Sequence, residues 1–477
     1  MAAPRLTAVV PLAAAFLLAA CHSEPTSSSV FPVACRGPLL PGETLFENAE
    51  VEPFLAVDPG NPAHLVSVWQ QDRYSRGGAI GLLVDVSFDS GKTWATASAP
   101  FSHCTGGTAA NGGDYQRASD PWVAISPDGT AHQLALAFDV GAGSGHRAIL
   151  ASRSSDGGRT WSAAQTLQGD SSPFFALDKG SITADPHSSS FVYAVWDRLT
   201  HQDVENSSSA QGPAWFARTT DGGATWEAPQ KIYDPGADAQ TIGNVIAVLP
   251  DGTLLNAMLV LTKLSTKTAV EANMWVLRSA DKGATWPDPP ITVRSVQNVT
   301  LFAKTQLPVR TGGPLPSIAV DASTGNVHVV WEDSRFSGGT RNGVALATST
   351  DGGLSWSNPV QVNRAPSAPA FTPAVAAGGS KLAVAYYDVR GDVAADPSRF
   401  LASSWLATSV DGGASWQETA LAGPFDLQTA PFSMGYFLGD YQGLGWDGTA
   451  FVSFFAAANS GNFSDPTSVL FRRVPPP

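Results

Sequence analysis

The chain has 477 residues, of which 43% are hydrophobic, 9% aromatic and 14% charged, with 46 Gly and 35 Pro. This composition is typical of a folding chain and excludes a disordered one. The 28 Lys and Arg against 41 Asp and Glu give a net charge of −13. A surface of this sign repels nucleic acid and anionic lipid, so we expect no nucleic-acid partner.

The first 20 residues have the form of an export signal. Arg5 precedes an apolar run from Leu6 to Ala20, which has the length of a signal peptide and is short for a membrane helix. The run ends at Cys21 in the sequence LAAC, which resembles the lipobox of bacterial lipoproteins. An ordinary secretory signal with a chance Cys is the alternative.

The lipobox resemblance implies that Cys21 is lipidated and becomes the first residue of the mature chain. We therefore predict a signal peptide over residues 1–20, a flexible Ser-rich tether over 21–29 and one folded domain over 30–477. The location implied is the bacterial cell envelope, at the outer membrane or the cell surface. The lipid at Cys21 is the only membrane contact expected.

The remaining two Cys are Cys35 and Cys104. An even pair in an oxidising compartment predicts a disulfide, and two buried free thiols are the alternative. The eight His are scattered without the spacing of zinc ligands. We predict no metal site and no cofactor.

Six segments share the pattern Ser/Thr-x-Asp-x-Gly-x-Ser/Thr-Trp and are called the turn motifs here. The Asp can accept backbone N–H bonds and the Gly can take a positive φ, so each motif is predicted to be a hairpin turn whose Trp packs between neighbouring units. The closing Trp residues are 60 to 70 residues apart, which suits a unit of four strands. The motifs are SFDSGKTW (87–94), SSDGGRTW (154–161), TTDGGATW (219–226), SADKGATW (279–286), STDGGLSW (349–356) and SVDGGASW (409–416).

The turn motifs resemble the Asp-box, or bacterial neuraminidase repeat, of sialidases and other propellers. The resemblance implies an all-β fold, a single β-propeller of four-stranded blades. The resemblance indicates little about function, because one fold serves many functions. The Asp residues of the motifs are predicted to be structural: Asp89, Asp156, Asp221, Asp281, Asp351 and Asp411.

We predict seven blades, with six as the alternative, because a seventh strand pair without a motif occupies 436–455. A third strand follows at Val469–Val474, and no fourth. Propellers are often closed by an N-terminal strand that removes exposed sheet edges. We therefore predict a latch strand from Val30–Arg36 or from Gly42–Phe46.

Strand polarity sorts the loops onto two faces. The turn motifs lie on one; the starts of the first strands and the ends of the second strands lie on the other, called the motif-free face here. Because this face also carries the long insertions, it is the predicted functional face. Its arginines are candidates for holding a carboxylate and its acids for proton transfer, although each Asp–Arg pair could instead only brace its own loop.

Sialidases bind the carboxylate of sialic acid with three arginines, and use an Asp as acid/base and a Tyr activated by a Glu as nucleophile. By resemblance, the acid is Asp120 or Asp178, the nucleophile Tyr441 or Tyr387, and its partner Glu52 or Glu332. The candidate substrate-binding residues are Arg73, Arg198, Arg335, Arg390 and Asp440, with Arg335 and Arg390 predicted to converge. The sequence departs from sialidases at Val51-Glu52-Pro53, where they carry Arg-Ile-Pro.

Two functions stay open at this stage. One is a glycan-directed hydrolase of the exo-α-sialidase type, which predicts a deep pocket with at least three convergent arginines. The other is a non-catalytic propeller that binds carbohydrate or protein, which predicts a shallow face of mutually satisfied Asp–Arg pairs. Lyases and other enzymes on the same fold form a third class. In each case we expect a monomer, and a glycan or glycoconjugate is the leading partner.

Overall fold

The computed structural model describes residues 30–477 except 142–145, 173, 201–210, 267–269, 288, 393–395 and 397. The predicted signal peptide, lipidated Cys21 and tether lie outside the described residues. No helix in the described part of the chain is long and apolar enough to cross a membrane.

The described part of the chain is all-β, and its long strands pair in seven consecutive antiparallel groups. The first three groups are β1 (Leu45–Val57), β2 (Leu65–Tyr74), β3 (Ala79–Ser87) and β4 (Ala95–Ala97); β5 (Arg117–Ile125), β6 (Ala131–Phe138), β7 (Arg147–Ser154) and β8 (Gln165–Asp170); and β9 (Phe175–Ala184), β10 (Val192–Thr200), β12 (Ala214–Thr219) and β13 (Gln230–Tyr233), with the short β11 (Gln211–Gly212) beside β10.

The remaining groups follow the same order. They are β14 (Ala239–Val248), β15 (Leu254–Thr262), β16 (Glu271–Ser279) and β17 (Ile291–Val296); β19 (Ser317–Val320), β20 (Val327–Asp333), β21 (Gly343–Ser349) and β22 (Val360–Gln361); β23 (Ala370–Gly378), β24 (Lys381–Asp388), β25 (Leu401–Ser409) and β26 (Gln417–Asp426); and β28 (Gly443–Trp446), β29 (Phe451–Ala458) and β30 (Thr467–Val474). The two-residue strands β18 (Val309–Arg310) and β27 (Tyr436–Phe437) pair in parallel outside the groups.

In the described residues, helical structure is limited to single 3₁₀ turns, one before β1 and the others between strands. They are Val33–Cys35, His103–Thr105, Ala109–Asn111, Leu264–Thr266, Arg335–Ser337 and Leu427–Thr429.

The hydrophobic core consists of layers between neighbouring strand groups. One layer joins Leu134 and Ile149 of the second group to Val192 and Trp196 of the third, and equivalent layers continue around the chain. The seventh group packs on the first through Phe454 and its neighbours. The first strands of successive groups lie side by side, and β28 lies against β1. The groups therefore surround a central axis.

Each turn motif closes a hairpin between the third and fourth strands of its group. In the third motif, Asp221 Oδ1 accepts the backbone N–H of Thr225 at 2.9 Å and Oδ2 accepts its hydroxyl at 2.6 Å, while Thr219 Oγ1 accepts the N–H of Gly223 at 2.9 Å. Gly223 has a φ of 80°, which favours glycine. These hydrogen bonds lower the pKa of Asp221 to about 2. The carboxylate is thus engaged within its own turn.

The motif Trp residues pack between strand groups, as predicted. Trp94 contacts Phe471 of the seventh group at a ring-centroid distance of 5.2 Å, and Trp286 contacts Phe216 of the third at 5.3 Å.

The predicted latch strand is not found in the described residues. Val30–Arg36 forms a bend and a 3₁₀ turn, Leu45 and Phe46 belong to β1 and pair with β2, and β30 pairs with β29 alone. The disulfide is present as predicted: Cys35 and Cys104 have Cα atoms 5.0 Å apart.

An ion pair and the disulfide hold the segment before β1 on the first two groups. This explains why the segment does not reach β30. Glu43 accepts hydrogen bonds from both terminal nitrogens of Arg117 at 2.7 Å, with both side chains fully buried. Near the motif-free face, packing and side-chain bonds join the first and seventh groups: Glu50 Oε2 accepts the N–H of Val469 at 2.7 Å.

Candidate functional site

The first strands carry an unusual backbone feature near the motif-free face. Glu52, Asp120, Lys179 and Thr372 have φ values of 52°, 51°, 47° and 49°, the left-handed region that residues other than Gly seldom occupy. Each coincides with a shift in the pairing of its strand with the next one. Such bulges re-aim side chains, and left-handed residues of this kind cost on the order of 1–3 kcal/mol each.

The bulges help to bring polar side chains from the first three strand groups, from the insertion that contains β18 and from the loop before β28 into a single cluster, called the axial cluster here. Lys179 Nζ forms an ion pair with Asp440 and lies 3.5 Å from Glu52 Oε1 and 3.7 Å from Asp120 Oδ1. The cluster consists of Glu52, Arg73, Asp120, Lys179, Arg310 and Asp440.

Two arginines complete the axial cluster. Arg310 binds Asp440 with two nitrogens, and its Nε lies 2.9 Å from Oδ1. Arg73 is buried and donates to Gln70 and, at 3.3 Å, to Ser433 Oγ. The guanidinium carbons of both lie over the ring of Phe437, at 5.0 Å for Arg73 and 4.3 Å for Arg310.

Charges in the cluster shift the carboxyl pKa values in opposite directions. Burial raises the pKa of Glu52 to about 8, against the attraction of Lys179. Lys179 and Arg310 outweigh burial at Asp440 and hold its pKa well below the ordinary range. Burial raises the pKa of Asp178, next to Lys179 in the chain, to about 6. The site therefore places a carboxyl with a raised pKa, Glu52, beside a carboxyl with a lowered pKa, Asp440.

A cavity of about 280 Å³ adjoins the cluster along the axis. Asp440 and Tyr441 line it together with two further aromatic residues, Phe54 and Trp122. The ring centroids of Phe54 and Trp122 are 3.7 Å apart, and those of Trp122 and Tyr441 are 5.0 Å apart. An apolar, aromatic pocket with a few convergent polar groups is the usual form of a small-ligand site.

The predicted nucleophile pairs do not form. The Tyr441 hydroxyl donates to the Pro121 carbonyl at 3.1 Å, and burial holds its pKa well above the ordinary value. Tyr387 is buried away from the cavity, with its hydroxyl on the Ala456 carbonyl at 2.9 Å. The Glu52 carboxyl instead accepts hydrogen bonds from the side-chain amide of Gln70 and from the backbone N–H of Asp440.

The other predicted partner, Glu332, makes no hydrogen bond to a Tyr among the described residues. It is buried and accepts the backbone N–H of Thr372 at 3.0 Å and the amide of Asn342 at 3.0 Å.

Three of the four predicted substrate-binding arginines are bound to acids away from the axial cluster. Arg198 binds Asp170 at 2.8 Å, and Arg335 binds Asp333 at 2.7 Å. Arg390 binds Asp388 and, at 2.6 Å, Glu418. The prediction that Arg335 and Arg390 converge is therefore wrong, because the acid two residues before each holds it at its own strand end.

Arg310 was missed by the sequence argument, since it lies in an insertion outside the repeated strand pairs. A Gly-Gly pair directly follows its neighbour Thr311 and was the available signal. Gly312 has a φ of 79°, and a Cβ there would lie 2.4 Å from the Asp440 carbonyl oxygen. The loop can approach Asp440 only with glycine at this position.

Among the described residues, no group of three or more His, Cys, Asp or Glu side chains is arranged to hold a metal ion.

No protein-family model and no curated protein matches the sequence. Among solved structures, the chain is similar to a polysaccharide lyase of family PL25, an ulvan lyase bound to -[GlcA(1-4)Rha3S]-. The identity is 11%, 90% of this chain and 95% of that chain are covered, and the TM-score is 0.51.

Two further structures are similar at lower scores. The Hadza microbial sialidase Hz136 is 16% identical over 87% of this chain and 75% of its own, with a TM-score of 0.48. An α-L-arabinanase of Penicillium chrysogenum complexed with arabinobiose is 15% identical over 76% and 94%, with a TM-score of 0.45. The described part of the chain is all-β and its neighbours among solved structures have propeller folds; identities this low show the fold alone.

Proposed function

We propose that the protein is a carbohydrate-binding propeller of the sialidase-like kind, and that the axial cluster with its cavity is the binding site. The observation that carries this proposal is the set of left-handed bulges at Glu52, Asp120, Lys179 and Thr372. Strained residues persist where the surrounding structure holds them, and they gather at functional sites. Here the same left-handed conformation occurs in the first strands of four groups.

The chemistry of the site suits a sugar. The rings of Trp122 and Tyr441 are half-buried and line the cavity, where they can pack on the apolar face of a sugar ring. Arg310 supplies the polar contact. Its side chain is 19% exposed, and its Nη1 has no hydrogen-bond partner among the described residues. A carboxylate or hydroxyl of the ligand can accept from it.

Hydrolysis of a glycosidic bond, of the exo-α-sialidase type, is the second candidate. The separation of carboxyl pKa values between Glu52 and Asp440 favours it, because glycosidases pair a protonated acid with an ionised carboxylate. Binding ranks first because Tyr441 donates its hydroxyl to a backbone carbonyl and three of the predicted arginines are engaged elsewhere.

The wider organisation belongs to the same proposal. We take the seven strand groups as seven blades and the turn motifs as Asp-boxes. We also propose that lipid on Cys21 anchors the protein in a bacterial cell envelope. The binding face would then meet glycans or glycoconjugates outside the cytoplasm.

A glycan panel tests the binding site. Binding of sialosides and other glycosides is measured for the wild type, Arg310→Ala and the matched control Arg335→Ala. We expect Arg310→Ala to weaken binding about tenfold or more, since a hydrogen bond to a charged group contributes about 1.5–3 kcal/mol. Arg335→Ala should bind as the wild type does. Equal losses in the two variants, or no glycan bound by the wild type, would contradict the proposal.

Fluorogenic versions of the same glycosides separate the two candidates. Release of the fluorophore by the wild type, lost in Glu52→Gln while binding remains, would favour the hydrolase. Binding without release would favour the non-catalytic propeller.

A further inference from the structure

The last strand group is one strand short, and its open edge faces a groove. β30 pairs with β29 on one side, and no other described strand pairs with it. Beside it lies a cavity of about 1050 Å³, called the edge groove here. Thr419–Gly423 of β26 and Ser90–Lys92 of the first turn motif border it, together with Phe471–Pro475.

The direction of the backbone groups along this edge follows from one hydrogen bond. Val469 donates its N–H to Glu50 Oε2 at 2.7 Å, so this N–H points away from β29. In an antiparallel pair, alternate residues direct their N–H and C=O groups to the same side. Phe471 and Arg473 therefore direct theirs toward the groove.

These two positions offer donors to an incoming strand. Within the described residues, the N–H groups of Phe471 and Arg473 have no hydrogen-bond partner. The carboxylate of Glu50 already occupies the first position of the row. The edge of β30 thus has room for an oxygen acceptor at Val469. The N–H groups of Phe471 and Arg473 can donate to further acceptors in the same row.

Cationic side chains also border the groove, in a chain whose net charge is −13. Lys92, Arg472 and Arg473 border it, and none of its lining residues is an acid. Arg473 is paired with Asp447 at 2.6 Å, so Lys92 is the cation on which the charge argument depends. Lys92 is exposed. Arg472 donates to the carbonyls of Leu421 and Phe471, and these bonds hold its side chain at the groove wall. A local field of this sign attracts an acidic partner.

We propose that the edge groove binds an extended acidic peptide segment of a partner protein, which pairs with β30 as the missing fourth strand. Backbone hydrogen bonds at Phe471 and Arg473 hold the segment, and the exposed Lys92 selects acidic side chains. The site is separate from the axial cluster, because the first turn motif forms one wall of the groove.

The test compares two substitutions of Arg473 in the full chain, kept in solution with mild detergent. Arg473→Pro removes the outward N–H without taking a donor from the β29 ladder, as proline does on edge strands. Arg473→Ala is the matched control: it also loses the ion pair with Asp447 but keeps the N–H. Urea unfolding shows that both variants are folded before binding is measured.

The probe is a short synthetic peptide of alternating Val and Glu, with a Val and Lys peptide as its charge-reversed partner. We expect the acidic peptide to bind the wild type, to bind Arg473→Ala slightly less well, and to bind Arg473→Pro about tenfold or more weakly. Lys92→Glu should also weaken it. Hydrogen exchange should show protection of Phe471 and Arg473 on binding.

Several outcomes would overturn the proposal. Equal binding of the two peptides would show that charge does not select the partner. Equal binding of the acidic peptide by Arg473→Pro and Arg473→Ala would show that the partner does not pair with β30. Failure of the acidic peptide to bind the full chain would mean that the edge is closed to partners, including the case in which residues of the same chain occupy the groove.

Discussion

Replacing Glu332 with Gln tests how far burial of one carboxyl sets the pH dependence of stability. Glu332 is fully buried, and burial raises its pKa from 4.5 to about 8 despite hydrogen bonds from Thr372, Thr311 and Asn342. The folded state therefore binds the proton more tightly than the unfolded state does. The resulting stabilisation is complete below about pH 4.5 and is lost as the pH rises toward about 8.

The magnitude follows from the size of the shift. Each pKa unit is worth about 1.4 kcal/mol, so the wild type loses about 5 kcal/mol from this group between about pH 4.5 and about pH 8. Gln does not titrate and avoids this loss. The side-chain NH₂ of Gln would face the NH₂ of Asn342, so that two donors meet. This lowers the free energy of unfolding by about 1 kcal/mol at every pH. We expect the two stability curves to cross near about pH 5, with Glu332→Gln more stable above it.

The assay is urea unfolding followed by the fluorescence of the 14 Trp residues across this pH range. The control is Glu227→Gln, whose wild-type side chain is 48% exposed and paired with Arg218. Exposed pairs contribute about 0–1 kcal/mol, so the control should follow the wild type at every pH. Parallel curves for Glu332→Gln and the wild type would refute the reasoning.

Three further predictions concern the N-terminal part of the chain. Replacing Cys35 and Cys104 with Ser should lower the free energy of unfolding by about 4 kcal/mol, because the disulfide closes a long loop; denaturant unfolding measures this, and an unchanged midpoint would contradict it. Glu43→Ala should cost about 3–5 kcal/mol because it leaves Arg117 buried without its partner; the same assay, with the wild type as reference, decides. Cys21→Ser should move the protein from the membrane fraction to the soluble fraction with unchanged thermal unfolding, and a variant that still sediments with membranes would disprove the anchor.

The features predicted correctly depend on residues close together in the chain. A turn motif contains its own donors and acceptors, so its Asp and Gly indicate a hairpin wherever they occur. The disulfide followed from the parity of the Cys count. The latch failed because Glu43 and Cys35 hold their segment on distant partners in the first two groups. The partners, Arg117 and Cys104, are not part of a periodic sequence pattern that would indicate these contacts.

The axial cluster was predicted only in part, for a related reason. Glu52, Asp120 and Asp440 are at strand starts that the repeats reveal. Arg310 instead enters from an insertion, whose short strand β18 pairs with β27 far along the chain. The alternation of apolar residues also cannot reveal a bulge, and the bulges decide which side chains face the axis.

The contacts between the first and last strand groups have a kinetic consequence. Glu50 and Val469 are 419 residues apart in the sequence, and Glu52 and Asp440 are 388 apart. Contacts of such long range form late, because the entropy of closing the loop must be overcome before they stabilise anything. An intermediate with every hairpin formed but an open ring would lack the Glu52–Asp440 contact, and with it the binding site. A ligand of the axial cluster would then bind the closed ring alone and stabilise it by mass action, acting as a chaperone for the last step of folding.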